Sequence, residues 1–132
     1  MEIPARAKDR LENEIVIWMT TVTPGGMPLT SPVWFLWEDD EVLVYSRRSP
    51  RVRNIRAHPA VSLNFDGNGM GGDIVVIEGQ ARIAADLPGA SHNPAYLEKY
   101  RPRLDQYGWS PEYFTANYPV PLLVEPTRIR AS

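Results

Sequence analysis

Five arginines, Arg47, Arg48, Arg51, Arg53 and Arg56, fall within ten residues of a chain whose formal net charge is -2. Solubility alone does not ask for that local density of positive charge. They lie in VLVYSRRSPRVRNIRAHPAVSLN, residues 42–64, which reads as a strand, a short helical turn and a second strand. Ser49-Pro50 opens the turn: serine is a good N-cap, and proline fits the first helical position, where no N–H is required. Val52 and Ile55 are three apart, so they can face a sheet while the arginines face outward. A helix N-terminus flanked by guanidinium groups is a ready site for a phosphate. The same pattern also fits a solvated basic turn, and spacing alone leaves both readings open.

The second chemical feature is aromatic. Trp18, Trp34, Trp37 and Trp109 are many tryptophans for 132 residues. Core packing is the plain reading, and it is the expectation for Trp18. Trp34 follows Pro32-Val33 on an edge-like strand, which can offer both a ring surface and unpaired backbone groups. A planar heteroaromatic ligand stacks on such surfaces while its polar edge bonds to the main chain. A phosphate site at Ser46–Arg51 and a ring platform near Val33–Phe35 together suggest a flavin-like ligand.

Other constellations do not survive their context. Gly67, Gly69 and Gly72 match G-x-G-x-x-G in spacing. That fingerprint requires a following helix, and Asp73-Ile74-Val75-Val76-Ile77 reads as a strand. No nucleophile elbow accompanies the serines. His58 before Pro59 reads as a helix terminator, and His92 before Asn93-Pro94 as a loop residue. The acidic turn Glu38–Glu41 lacks the glycine and spacing of a calcium loop. The sequence has no cysteine, which removes disulfides, thiolate metal sites and a cysteine nucleophile. No metal site is expected, and no catalytic residue can be named.

Composition sets the frame. The length suits one domain spanning residues 1–132. Apolar content of 43% and charged content of 23% do not indicate disorder. A pI near 5.7 argues against nucleic-acid binding. The apolar run Ile15–Met19 is too short to span a membrane, and residues 2–14 are too charged for a signal peptide. A cytoplasmic protein is expected.

The elements that must position these residues follow in order. Residues 4–13 suit a short charged helix. Ile15–Val22, Pro28–Trp37 and Val42–Ser46 form a three-stranded meander, and Pro32 implies an edge or a bulge in its middle strand. After the arginine turn, Val61, Leu63 and Phe65 alternate with polar residues as a half-buried strand. Ile74–Ala84 is a long strand in which Gly79 marks a bulge or a close approach. Asn93-Pro94 and Ser110-Pro111 open two helices, the first expected to kink or split at Pro102. Val120–Arg130 closes the chain as a strand. This order suggests a small, partly open β-barrel with helices packed on it.

Taken whole, the chain resembles the pyridoxamine 5'-phosphate oxidase-like split-barrel family. Within it, the resemblance is to the actinobacterial branch that uses the deazaflavin coenzyme F420. The carriers are TTVTPGGMPLTSPVWFLWEDDEVLVYS, SPRVRNIRAHPAVSLNF, IEGQARIAAD and VEPTRIR. Most specific is a basic residue followed by x-x-Asn-(Leu/Ile) and a later Pro-x-Val, here Arg51, Asn54, Ile55, Pro59 and Val61. The family often has lysine at the position of Arg51, and arginine should also bind phosphate there.

The resemblance implies a mainly β fold with short helices, a six-stranded split barrel of the Greek-key, FMN-binding type. It implies a homodimer with two cofactor sites at the interface. Arg51, with Ser46, Arg47 and the Ser49 turn, would hold the phosphate, and Tyr45 and Asn54 belong to the implied cofactor-binding set. Pro32, Val33 and Trp34 would run beside the ring, and residues around Trp109 and Tyr118 would wall the substrate pocket. Arg47 and Arg48 would suit the anionic glutamyl tail of F420. The implied activity is hydride transfer between F420 and a small organic substrate. FMN in the same fold, and a non-catalytic cofactor-binding protein, are the alternatives. The oxidase proper is longer and ends in an Arg-x-His motif, whereas Arg128-Ile129-Arg130 lacks the histidine. That argues against pyridoxal-phosphate specificity.

Overall fold

The structure, a computed structural model, describes residues 1–132. Its elements are α1 (Ala5–Asn13), β1 (Val16–Val22), β2 (Pro28–Trp34), β3 (Leu36–Glu38), β4 (Glu41–Ser46), α2 (Pro50–Ala57), β5 (Ala60–Asn64), β6 (Val75–Ile83), a 3-10 turn (Ala90–His92), α3 (Pro94–Tyr107), α4 (Pro111–Asn117) and β7 (Val120–Ala131). The strands form one antiparallel sheet in the order β2-β1-β5-β6-β7-β4-β3. It curls until β2 approaches β4, giving a half-open barrel. No helix is long and apolar enough to cross a membrane.

The sheet has seven strands rather than six. Pro28–Trp37 does not run through as one strand but breaks at Phe35 into β2 and β3. Broken ladders leave backbone groups that need partners when buried. Helix α3 supplies them: the Phe35 N–H donates to the Tyr100 hydroxyl at 2.8 Å, and Lys99 Nζ donates to the Phe35 carbonyl at 2.8 Å. The Tyr100 hydroxyl in turn donates to the Ile15 carbonyl at 2.6 Å. Helix α3 also runs unbroken through Pro102 instead of splitting there. Trp18 is not a core residue. The period of two buries Ile17 and Met19 and turns Trp18 to the other face, where its Nε1 donates to Asp66 at 2.8 Å.

Two apolar clusters lie on opposite faces of the sheet. Ile17, Met19, Phe35, Leu63 and Ile77 fill the inside of the curl, covered by α1 and α2. Tyr45, Tyr96, Tyr100, Leu104 and Phe114 form an aromatic cluster under α3 and α4. Strand β4 serves both: Val42 and Val44 belong to the first, Leu43 and Tyr45 to the second. Gly79 marks a register shift in the β6–β7 pair, opposite Pro126. A Cβ at Gly79 would lie 2.7 Å from the Glu125 carbonyl oxygen. Pro126, which has no N–H to give the ladder, is tolerated at this bulge.

Tyr100→Phe should cost about 1–3 kcal/mol in chemical denaturation, because it strands the Phe35 N–H and the Ile15 carbonyl. A second prediction concerns pH. Burial lowers the Lys99 pKa to about 8, while the unfolded lysine keeps its ordinary value. Between these values the unfolded chain binds more protons, so stability should rise with pH from about 8 towards 10. Above that window the buried Tyr96 and Tyr100, whose pKa values are raised by burial, reverse the trend. Denaturation midpoints measured across the window should climb in the wild type and stay flat in Lys99→Met.

Candidate functional site

A cavity of about 510 Å³ opens where β2 approaches β4. Its volume lies in the range of small-molecule sites, roughly 300–1,000 Å³. One wall is Pro32, Val33 and Trp34 of the edge strand β2. A second is Tyr45 at the end of β4 with Arg47, Ser49 and Arg51 from the turn into α2. The third is the aromatic stretch joining α3 to α4, with Tyr107, Trp109, Phe114 and Tyr118. The edge strand β2, the end of β4 with the Ser-Pro helix start, and the closing helices thus meet at one point.

Arg51 is the electrostatic centre of this cavity. It is half-buried on the first turn of α2, and its two terminal nitrogens reach in two directions. Nη1 donates to Ser46 Oγ at the end of β4 at 2.9 Å, and Nη2 to Ser31 Oγ on β2 at 2.5 Å. The guanidinium therefore bridges the two strands whose approach closes the curl. The ion pairs of the chain involve Arg6, Arg10 and Arg130, and Arg51 has no carboxylate partner. Burial without a counter-charge lowers its pKa from the ordinary arginine value. Arginine nonetheless keeps its proton in proteins. The result is a fixed positive charge held only by two neutral hydroxyl groups.

Beside it, the Ser49 hydroxyl is shielded from solvent and has no hydrogen-bond partner. Ser49 occupies the N-cap of α2, yet its side chain makes no capping bond. Buried hydroxyl groups are normally satisfied. An unsatisfied one beside an uncompensated guanidinium at a helix start is suited to an anion. Arg47 is exposed. Its Nη2 donates to the Tyr118 hydroxyl at 3.0 Å, and its guanidinium lies 4.8 Å from the centre of that ring. This contact links the basic turn to the aromatic wall.

The cavity lining contains no carboxylate, histidine, lysine or cysteine. Its ionisable groups are two arginines and three tyrosines. The Tyr45 pKa is raised, first by burial; a hydrogen bond from Asn93 opposes that shift and the charge of Glu38 adds to it. Tyr45 is therefore neutral across the physiological range. The arrangement can bind an anionic group and a planar apolar body, but it offers no side chain for base catalysis.

Seven of the nine site residues expected from sequence border the cavity: Pro32, Val33, Trp34, Tyr45, Arg47, Ser49 and Arg51. The other two stand behind it. Ser46 is buried, accepts from Arg51, and donates to the Arg47 carbonyl at 2.8 Å. Asn54 is fully buried and donates from Nδ2 to Thr21 Oγ1 at 3.0 Å, tying α2 to β1. Trp34 differs from a bare platform. Its indole stacks on Tyr100 and Phe114, with centroids 4.6 and 5.5 Å away and planes 9° apart in both cases. Trp109 and Tyr118 do border the cavity. The structure adds Ser31, Val16, Tyr107 and Phe114 to the site residues expected from sequence. The aromatic spacing after Tyr100 was a usable signal for the last two, whereas nothing in the sequence marked Ser31.

The profile of the pyridoxamine 5'-phosphate oxidase family matches residues 3–121, and the chain belongs to that family. No curated protein matches it. Among solved structures, an F420 reductase superposes with a TM-score of 0.71 at 22% identity, covering 97% of this chain and 98% of that one. A FAD-binding protein from Mesorhizobium loti gives 0.63 at 20% identity, covering 96% and 92%. The heme storage protein HutZ from Vibrio cholerae gives 0.62 at 15% identity, covering 99% and 95%. At these identities the likeness is one of fold, and the same half-barrel serves proteins with different ligands.

An anion that binds the native state alone raises its stability by mass action. Inorganic phosphate well above its Kd should stabilise the wild type by roughly 1–3 kcal/mol in thermal unfolding. Arg51→Met should abolish that gain while changing stability in plain buffer little, since the lost hydrogen bonds are offset by removal of a desolvated charge.

Proposed function

We propose that this cavity binds coenzyme F420 and that the protein transfers a hydride between that cofactor and a small organic substrate. The observation that carries the reading is the half-buried Arg51 guanidinium, which no carboxylate of the chain neutralises, beside the unpartnered Ser49 hydroxyl. Both fit a phosphate. When bound, the deazaflavin supplies the two-electron chemistry.

The residues of the chain do the rest. Arg51 and Ser49 hold the phosphate end, with Ser46 steadying Arg51 and Asn54 fixing α2 against β1. Arg47 adds a second positive charge that an anion can draw away from Tyr118. Strand β2 has a neighbour on one side only, so backbone groups of Pro32–Trp34 are available to the polar edge of a planar ring. Tyr107, Trp109, Phe114 and Tyr118 exclude water and border the substrate side. The F420 reductase of the same fold lends support to the choice of cofactor. Residues 1–132 act as one binding unit. A second copy completes the site: Val16 at the cavity edge, and Met27 and Leu29 of the β1–β2 hairpin, are exposed apolar residues suited to such a contact.

A second reading, a non-catalytic binding protein, draws on a different observation. The cavity lining has no carboxylate, histidine or lysine to serve as a general base, and a heme storage protein shares the fold. FMN in place of F420 is the third.

Fluorescence titration separates these. The proposal expects F420 to bind more tightly than FMN, and reduced F420 to be consumed with an electron-poor acceptor. Tight FMN binding with no response to F420 would sink the cofactor assignment. Binding of F420 without turnover over a broad panel of electrophiles would favour the storage reading. Arg51→Ala should weaken either cofactor by roughly 1.5–3 kcal/mol, the worth of a charge-assisted hydrogen bond.

A further inference from the structure

Reduction of a polarised carbon–carbon double bond needs a proton as well as a hydride. Among the protic groups of the cavity lining, arginine keeps its proton, and indole and serine are far weaker acids than a phenol. That leaves the three tyrosines of the lining, Tyr45, Tyr107 and Tyr118.

Their hydroxyl groups differ in what they touch. Tyr45 is committed: it donates to the Pro88 carbonyl at 3.0 Å and accepts from Asn93 Nδ2 at 3.1 Å. Burial raises its pKa, which opposes loss of its proton. Tyr107 is 59% exposed, so its hydroxyl belongs to solvent as much as to the cavity. Tyr118 is half-buried. Its hydroxyl accepts from Arg47 Nη2 at 3.0 Å, and its own proton meets no acceptor of the chain. The ring stacks on Phe114, with centroids 4.5 Å and planes 16° apart. One phenol of the three thus has a fixed ring, an oxygen held by a cation, and a proton free for a ligand. Arg47 makes this bond through Nη2 alone, so its other N–H groups stay available to an anion.

We infer that Tyr118 is the proton donor of the reduction and that Arg47 steadies the oxygen it leaves behind. The substrate class is an α,β-unsaturated carbonyl compound or a similarly polarised double bond. A hydride from the reduced cofactor bonds to the β carbon, and the π pair shifts towards the α carbon. That carbon takes the Tyr118 O–H proton, and the O–H pair stays on the phenolate. The Arg47 guanidinium neutralises the phenolate until water returns a proton. This deepens the hydride-transfer reading and rests on it.

The experiment assays the full chain with reduced F420 against two acceptors, cyclohex-2-enone and the N-methylacridinium cation. The enone needs a proton at carbon, whereas the cation takes a hydride alone. Tyr118→Phe should lose roughly a hundredfold in kcat on the enone and about threefold at most on the cation. Fluorescence titration should show its F420 affinity little changed. Arg47→Gln should show the same selectivity for the enone with a smaller loss. Equal losses of Tyr118→Phe on the two acceptors would make Tyr118 a wall residue only and overturn the assignment. No loss on the enone, or a loss that follows Tyr107→Phe instead, would overturn it too. If reduced FMN serves the wild type and reduced F420 does not, the cofactor assignment fails, and the same two-acceptor comparison with FMN decides Tyr118. If neither cofactor supports reduction of either acceptor, the hydride-transfer reading and the Tyr118 role fall together.

Discussion

The Arg51 guanidinium, bonded at once to Ser31 on β2 and Ser46 on β4, is the interaction around which the cavity is arranged. It sits where the curl of the sheet brings those two strands near each other. Two serine hydroxyls satisfy its geometry but not its charge. Even partial removal of a charge from water is unfavourable unless something opposite in sign repays it. The fold thus carries an electrostatic deficit at one point, which an incoming anion can relieve.

Other features maintain that point. Strands β6 and β7 slip register at Gly79, where a side chain would strike the Glu125 backbone, and such a bulge bends and twists the strand locally. Strand β4 is buried on both faces, so its end at Ser46 is held on both sides. Asn54 and Thr21 fix α2 to β1, which sets the direction in which Arg51 leaves the helix. On the opposite wall, Tyr100 stacks on Trp34 and seals the strand break at Phe35 with its hydroxyl. One tyrosine thereby ties the aromatic wall to the edge strand.

Much of this could be read from the residues. The β1–β2 hairpin, the Ser-Pro helix starts and the edge position of Pro32 follow from local chemistry, as does the bulge at Gly79, and local chemistry needs no partner. The expected three-stranded meander is divided instead: β2 pairs with β1 and β3 with β4, at opposite edges of the sheet. What could not be read depended on distant contacts. The break at Phe35 makes seven strands of an expected six, and it exists because residues about sixty-five positions later supply hydrogen bonds. Helix α3 passes through Pro102 because tertiary packing overrides propensity. Trp18 looked like core because hydrophobicity does not reveal which of two strand faces is inward. In the site, the arginine turn was legible by its charge. Ser31 was not, since a serine on an edge strand carries no mark until the sheet brings Arg51 to it.

Nitrogen-15 NMR of the arginine side chains tests the central claim most directly. The Arg51 signals can be assigned by their loss in Arg51→Lys. On titration with F420 or FMN, the Arg51 side-chain resonances should move most, while those of Arg10, already paired with Asp73, stay in place. If the Arg51 resonances stay fixed while a cofactor demonstrably binds, the phosphate lies elsewhere and the account of this cavity is contradicted.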